Sequence, residues 1–140
     1  MNTSNGAFIS GSLRAATSYP EPEGAFPDER IIEVLRLLGL GHLEARLDEV
    51  EPWDDQLSGH EQQRLALARV LLYEPEWLFL DKATSELDEA MERRAYDLLA
   101  ARLPGATLIS VAHRPAVESY HAKRWVLSPR DHGPAVLEPA

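Results

Sequence analysis

Trp77-Leu78-Phe79-Leu80-Asp81 is the stretch on which the fold turns: four apolar residues in a row, closed by a carboxylate. A run this short and continuously apolar, just after Pro75, predicts a strand buried on both faces of a parallel sheet. Beyond it Asp88 stands where a helix cap belongs, and residues 89–102 carry Met91, Ala95, Leu98 and Leu99 at helical spacing. Pro104-Gly105 breaks that helix, and Thr107-Leu108-Ile109-Ser110-Val111 predicts a second buried strand. Strand, helix and strand in that order make a right-handed crossover, hence α/β architecture.

Upstream the pattern is helical. Residues 61–73 hold no breaker and place Leu65, Ala68, Leu71 and Leu72 on one face, so they predict a long helix. Asp28 at a cap position, followed by Ile31, Ile32, Val34, Leu35 and Leu38 and stopped by Gly39, predicts another. A weaker helix covers residues 42–47, and one helical turn covers residues 13–17 ahead of Tyr19-Pro20. Residues 18–28 read as a loop, residues 48–56 as an acidic, turn-rich segment around Trp53, and Ser10-Gly11-Ser12 as a turn after Ala7-Phe8-Ile9. Trp125-Val126-Leu127 fits a strand, and the proline-bearing residues 129–140 read as a loose tail.

Composition narrows the function. The 140 residues carry 14 Lys and Arg against 23 Asp and Glu, a net charge of −9, which speaks against a general nucleic-acid footprint. It leaves nucleotide binding open, because a few local groups grip a phosphate. With no cysteine there is neither a disulfide framework nor a thiolate metal site. The first residues do not read as a secretory signal, and no apolar run reaches bilayer-spanning length, so no direct membrane insertion of this chain is expected.

Three features carry chemistry. Asp81 ends its strand at the sheet edge where open α/β sheets bind ligands, although a strand ending in Asp is more often a turn former or a helix cap. Ser58 and Gly59 stand ahead of the long helix, so amides and the Ser58 hydroxyl at its positive end offer an anion site; the commoner fate of Ser-Gly there is a plain cap. His113 follows the second strand, which sets it on the same rim as Asp81 if the two strands are close.

Together the three are specific. Leu57-Ser58-Gly59-His60-Glu61-Gln62-Gln63-Arg64-Leu65-Ala66-Leu67-Ala68-Arg69 resembles the signature motif of ATP-binding cassette (ABC) ATPases. Leu78-Phe79-Leu80-Asp81-Lys82-Ala83-Thr84-Ser85-Glu86-Leu87-Asp88 resembles their Walker-B strand and D-loop, and Val111-Ala112-His113-Arg114 their switch-histidine region. The resemblance is densest over residues 53–125; residues 9–20 and 27–43 resemble the helical subdomain of exporters, nearest the bacterial group related to peroxisomal fatty-acyl transporters and peptide-uptake permeases.

The resemblance implies an incomplete P-loop NTPase (RecA-like) α/β core with an ABC-type helical subdomain. It divides the chain into a stub of the core (1–12), the helical subdomain with the signature (13–73), the Walker-B, D-loop and histidine part of the core (74–128), and the tail (129–140). In the family, two nucleotide domains sandwich ATP and Mg²⁺. Ser58, Gly59, His60 and Glu61 would then meet the nucleotide, Asp81 would hold Mg²⁺ through water, Ser85, Leu87 and Asp88 would cross the dimer interface, and His113 would sense the γ-phosphate. The implied partners are a second ABC nucleotide domain and transmembrane permease segments, the latter holding the protein at the cytoplasmic face of the inner membrane.

Three departures matter. No stretch fits G-x-x-x-x-G-K-[ST], and the glutamine loop is absent too, so the chain reads as the C-terminal part of a domain that cannot hydrolyse ATP alone. Lys82 occupies the position of the family's catalytic glutamate; with a reference pKa of about 10.4 it is protonated at neutral pH and cannot accept a proton from water, though it could pair with Asp81. His60 replaces the second signature glycine. Two other readings stand beside the transporter subunit: a non-catalytic module completing an ATP site on a partner chain, and a piece of a chromosome-maintenance ATPase, which would need a heptad-repeat coiled coil that these residues lack.

Overall fold

The computed structural model describes residues 11–140. The predicted stub at residues 1–10 lies outside them. Gly11–Ser12 (β1) is no turn: it pairs antiparallel with Val50–Glu51 (β2), Gly11 opposite Glu51. Ser12 then caps Leu13–Ser18 (α1), its Oγ accepting from the Ala15 N–H at 3.0 Å.

Asp28–Leu37 (α2) starts one residue earlier than predicted. Pro27 is the cap, and Asp28 and Glu29 sit in the first turn with Arg36 in the last, which suits the helix dipole. Its end needs Gly39: at φ 71° the chain turns left-handed so that the Leu40 N–H reaches Leu35 O at 2.7 Å and the Gly39 N–H reaches Arg36 O at 3.1 Å. A 3-10 helix, Gly41–Arg46, stands where the weaker helix is predicted. The acidic segment that follows holds the short helix Trp53–Gln56 (α3), and Trp53 is 1% exposed, with Arg46 4.8 Å over its ring.

Gly59–Tyr73 (α4) runs through the middle of the core. Besides the predicted Leu65, Ala68, Leu71 and Leu72, it buries Leu67 and Val70, so most of its circumference is covered. Glu74, in left-handed conformation, ends it.

Trp77–Asp81 (β3) and Thr107–Val111 (β4) pair in parallel across Glu89–Arg102 (α5), with Trp77 opposite Thr107 and Asp81 opposite Val111. Burial on both faces of β3 is not what the described residues show. Leu78 and Leu80 point into the core, whereas Trp77 and Phe79 are about half exposed, as is Val111 on β4. The alternation follows from helices covering one face only. On α5 the buried stripe is Glu92, Ala95, Tyr96 and Leu99; Met91 and Leu98, expected inside, are only partly covered. One charged residue in the stripe turned the apparent face by about a residue's rotation.

Pro115–Glu118 (α6) leads to Trp125–Ser128 (β5). The tail is not loose: Val136–Pro139 (β6) returns antiparallel on β5, Trp125 opposite Pro139, through a loop in which Gly133 has φ 98°. A single apolar core joins Leu13, Leu35, Trp53 and Leu65 of the helical part to Leu78, Leu80 and Leu99 of the α/β part. No helix among the described residues is long and apolar enough to cross a membrane.

Candidate functional site

The start of α4 is held by a reciprocal cap. The Ser58 Oγ accepts from the Glu61 N–H at 3.4 Å, and the Glu61 carboxylate accepts from the Ser58 N–H at 3.0 Å and the Ser58 hydroxyl at 2.9 Å. His42 approaches the other carboxylate oxygen at 3.1 Å. Partial burial works to raise the Glu61 carboxyl, but the Ser58 donors, with His42 behind them, outweigh it and hold the group below the usual carboxylate range. The Ser58 hydroxyl is therefore turned onto Glu61 rather than outward. The outward donors at this end are the first-turn amides, those of Gly59 and His60, in an exposed stretch.

His60 is fixed by its own helix. The Arg64 guanidinium, which can only donate, lies 2.6 Å from His60 Nδ1. Nδ1 must accept, which leaves the ring proton on Nε2. Arg64 also reaches the Gly39 carbonyl at 3.2 Å, bracing α4 against the end of α2.

Asp81, Lys82 and His113 share one rim. Asp81 lies opposite Val111 in the register, the Lys82 N–H donates to Val111 O at 2.9 Å, and His113 follows two residues on. All three are exposed. The Asp81–Lys82 ion pair does not form. Lys82 holds φ 51°, the left-handed region that side chains with a Cβ rarely adopt.

The loop 82–88 between β3 and α5 is gripped from two sides by residues that sequence reasoning passed over. From α4, the buried Gln63 donates to Lys82 O at 3.1 Å and to Ser85 Oγ at 3.0 Å, and accepts from the Glu86 N–H at 2.9 Å. From the histidine side, Arg114 donates to Leu87 O at 2.6 Å and Ser85 O at 2.7 Å. Arg114 also stands 3.4 Å from Glu92, a carboxylate 1% exposed that accepts from the Thr84 hydroxyl at 2.7 Å. Of the residues assigned to the dimer interface, Leu87 packs into the core and Asp88 caps α5 through the Met91 N–H at 2.8 Å; Ser85 stays exposed. Among the described residues no cluster of three His, Cys, Asp or Glu could hold a metal by itself.

The chain matches known proteins in sequence and fold. The family model described as ABC transporter matches residues 7–85. The chain belongs to the ABC transporter family. It is 39% identical over 117 residues to an ABC transporter ATP-binding protein of Haemophilus influenzae, covering 84% of this chain and 20% of that protein. It is 42% identical over 136 residues to the lysosomal cobalamin transporter ABCD4 of Mus musculus, covering 90% and 22%. A solved bacterial Atm1-family ABC exporter with ATP bound superposes with a TM-score of 0.68 at 25% identity, over 81% of this chain and 21% of that one. The chain thus spans about a fifth of the length of these ABC proteins and has the α/β fold of part of a P-loop NTPase domain, of the exporter-related kind.

Proposed function

We propose that the chain supplies the signature half of a composite ATP site in an ABC transporter, coupling ATP binding by paired nucleotide domains to transport through permease segments at the membrane's cytoplasmic face. One observation carries this reading: an exposed, rigidly capped helix start at Ser58, Gly59 and His60 on the same molecule as an exposed Asp81 and His113 on a single sheet edge. The first-turn amides and the His60 Nε2–H are donors suited to a γ-phosphate held by a second nucleotide domain. Glu61 serves by locking the cap rather than by touching the nucleotide.

Mg²⁺ takes hard oxygen ligands and keeps several waters, and an exposed carboxylate that forms no ion pair among the described residues fits that role for Asp81. The ion would neutralise charge on the phosphates. His113 would report the γ-phosphate, and Ser85 would face the partner domain, with Leu87 and Asp88 shaping the D-loop from behind. The division into a helical subdomain (13–73) and a core part (74–128) follows the same assignment.

Lys82 sets the chemistry. A lysine where the family has a glutamate supplies no carboxylate to activate water, so a site built on this edge binds ATP and turns over slowly. That same feature favours the second reading, a non-catalytic module that completes an ATP site whose hydrolysis is run elsewhere. The test grafts residues 7–140 onto a complete relative and compares Lys82 with Lys82→Glu. Turnover at least about tenfold higher in Lys82→Glu is expected; equal, fast turnover in both would overturn the assignment of Lys82.

A further inference from the structure

We propose that Glu86 is a resident counter-charge at the start of α4, a specificity-determining residue that keeps free anions off the Gly59 and His60 amides; this rests on the reading above, in which that helix start faces a terminal phosphate.

Gly59 has no side chain, and the space beside it is taken by another element. A Cβ on Gly59 would stand 3.5 Å from Glu86 Cγ, 3.7 Å from Cδ and 3.6 Å from Oε2. These are ordinary contact distances, so the Glu86 side chain lies along the bare backbone of the first turn with its carboxylate next to it. The main chain holds it there. The Glu86 N–H donates to Gln63 Oε1 of α4 at 2.9 Å, and the following residue, Leu87, is buried in the core. The Glu86 side chain is exposed and forms no ion pair among the described residues. An exposed glutamate ordinarily needs no partner. Its place against the glycine that opens a fifteen-residue helix gives this one's charge a consequence.

A helix start carries about half a positive charge, which favours one anion nearby. Two carboxylates already answer it here. Glu61 is turned onto the Ser58 N–H and hydroxyl, with His42 at its other oxygen, and Glu86 stands at Gly59. The Arg64 guanidinium, on the same helix, is directed to His60 Nδ1 and the Gly39 carbonyl. The first-turn amides are therefore exposed donors under a negative local field, and a free anion meets repulsion as it approaches them. A phosphate whose charge is offset by Mg²⁺, and which a second nucleotide domain already grips, is repelled less. Glu86 thus selects a presented nucleotide over the anions of the surrounding solution.

The experiment titrates inorganic phosphate into the 140-residue chain near neutral pH at constant ionic strength, following the Gly59 and His60 amide resonances by NMR. Glu86→Gln keeps the shape of the side chain and the main-chain bond to Gln63, and removes only the charge. It should reach half-saturation at a phosphate concentration at least about tenfold lower than wild type, and the gap should shrink in about 0.5 M sodium chloride, which screens surface charges. Glu138→Gln makes the same change of net charge on β6 and should behave as wild type. Glu86→Ala should follow Glu86→Gln. Phosphate admitted by Glu86→Ala but not by Glu86→Gln would show that bulk guards the amides, and would overturn the proposal. Equal responses of wild type and Glu86→Gln, including none in either, or a gap that salt leaves unchanged, would overturn it too. No nucleotide enters the titration. Failure of ATP-dependent association with a second nucleotide domain would strike the reading above and leave the phosphate result standing.

Discussion

Lys82 carries two separable properties, a left-handed backbone and a basic side chain that forms no ion pair among the described residues. Left-handed conformation costs a residue with a Cβ about 1 kcal/mol relative to glycine, so Lys82→Gly should raise stability to urea by about 0.5–1 kcal/mol, and Lys82→Val should lower it. Glu92 gives the opposite case. Truncation to Ala leaves the Thr84 hydroxyl and part of Arg114 without an acceptor and should cost about 2–3 kcal/mol in urea unfolding; Glu92→Gln, which still accepts from Thr84, should cost less. At this scale the motif residues were legible and their supports were not. Asp81 announces itself by ending a strand, and His113 by following one two residues on. A glutamate in a helix reads as solvated, although Glu92 stands three and seven residues before Ala95 and Leu99 and so shares their buried stripe. Its partner Arg114 is 22 residues away, a separation that no local pattern encodes.

Among the elements, α4 joins stability to the site most closely. Ser58→Ala removes the hydroxyl from the reciprocal cap and should cost about 1 kcal/mol, whereas Ser58→Gly should cost only a few tenths. Because the folded state holds the Glu61 carboxyl below its usual range, the cap's contribution is present above the ordinary carboxylate pKa and is lost as pH falls through the depressed folded value. The stability gap between wild type and Ser58→Ala should therefore narrow on acidification, measured by urea titrations at stepped pH. The helix and its cap were legible as Ser-Gly followed by Glu61. The direction of the Ser58 hydroxyl was not, since the same residues serve an outward site or an inward cap. Gly39→Ala tests the brace between α2 and α4: a Cβ would force a left-handed alanine and lie 2.9 Å from an Arg64 nitrogen, so both helices should lose thermal stability, read by circular dichroism.

For the whole molecule, one core unites the helical and α/β parts, and the strand–helix–strand unit was legible because short apolar runs flank a capped helix. Two-sided burial of β3 was misread for a physical reason: a continuous apolar run is the same whether its second face is covered within these residues or not. The same limit hid the β5–β6 pairing, where the prolines mark only the ends of the returning strand. Ile109 and Val111 present apolar surface on the open face, at 39% and 56% exposure. Replacing both with Thr should lower the chain's concentration-dependent association in sedimentation. The central claim is that the α4 start meets a nucleotide held by another domain. It is tested most directly by mixing the chain with a hydrolysis-deficient nucleotide domain from a relative and following complex formation by sedimentation. Complex formation that requires ATP and disappears in Ser58→Arg is the predicted result; association that ignores ATP, or that Ser58→Arg leaves intact, would contradict it.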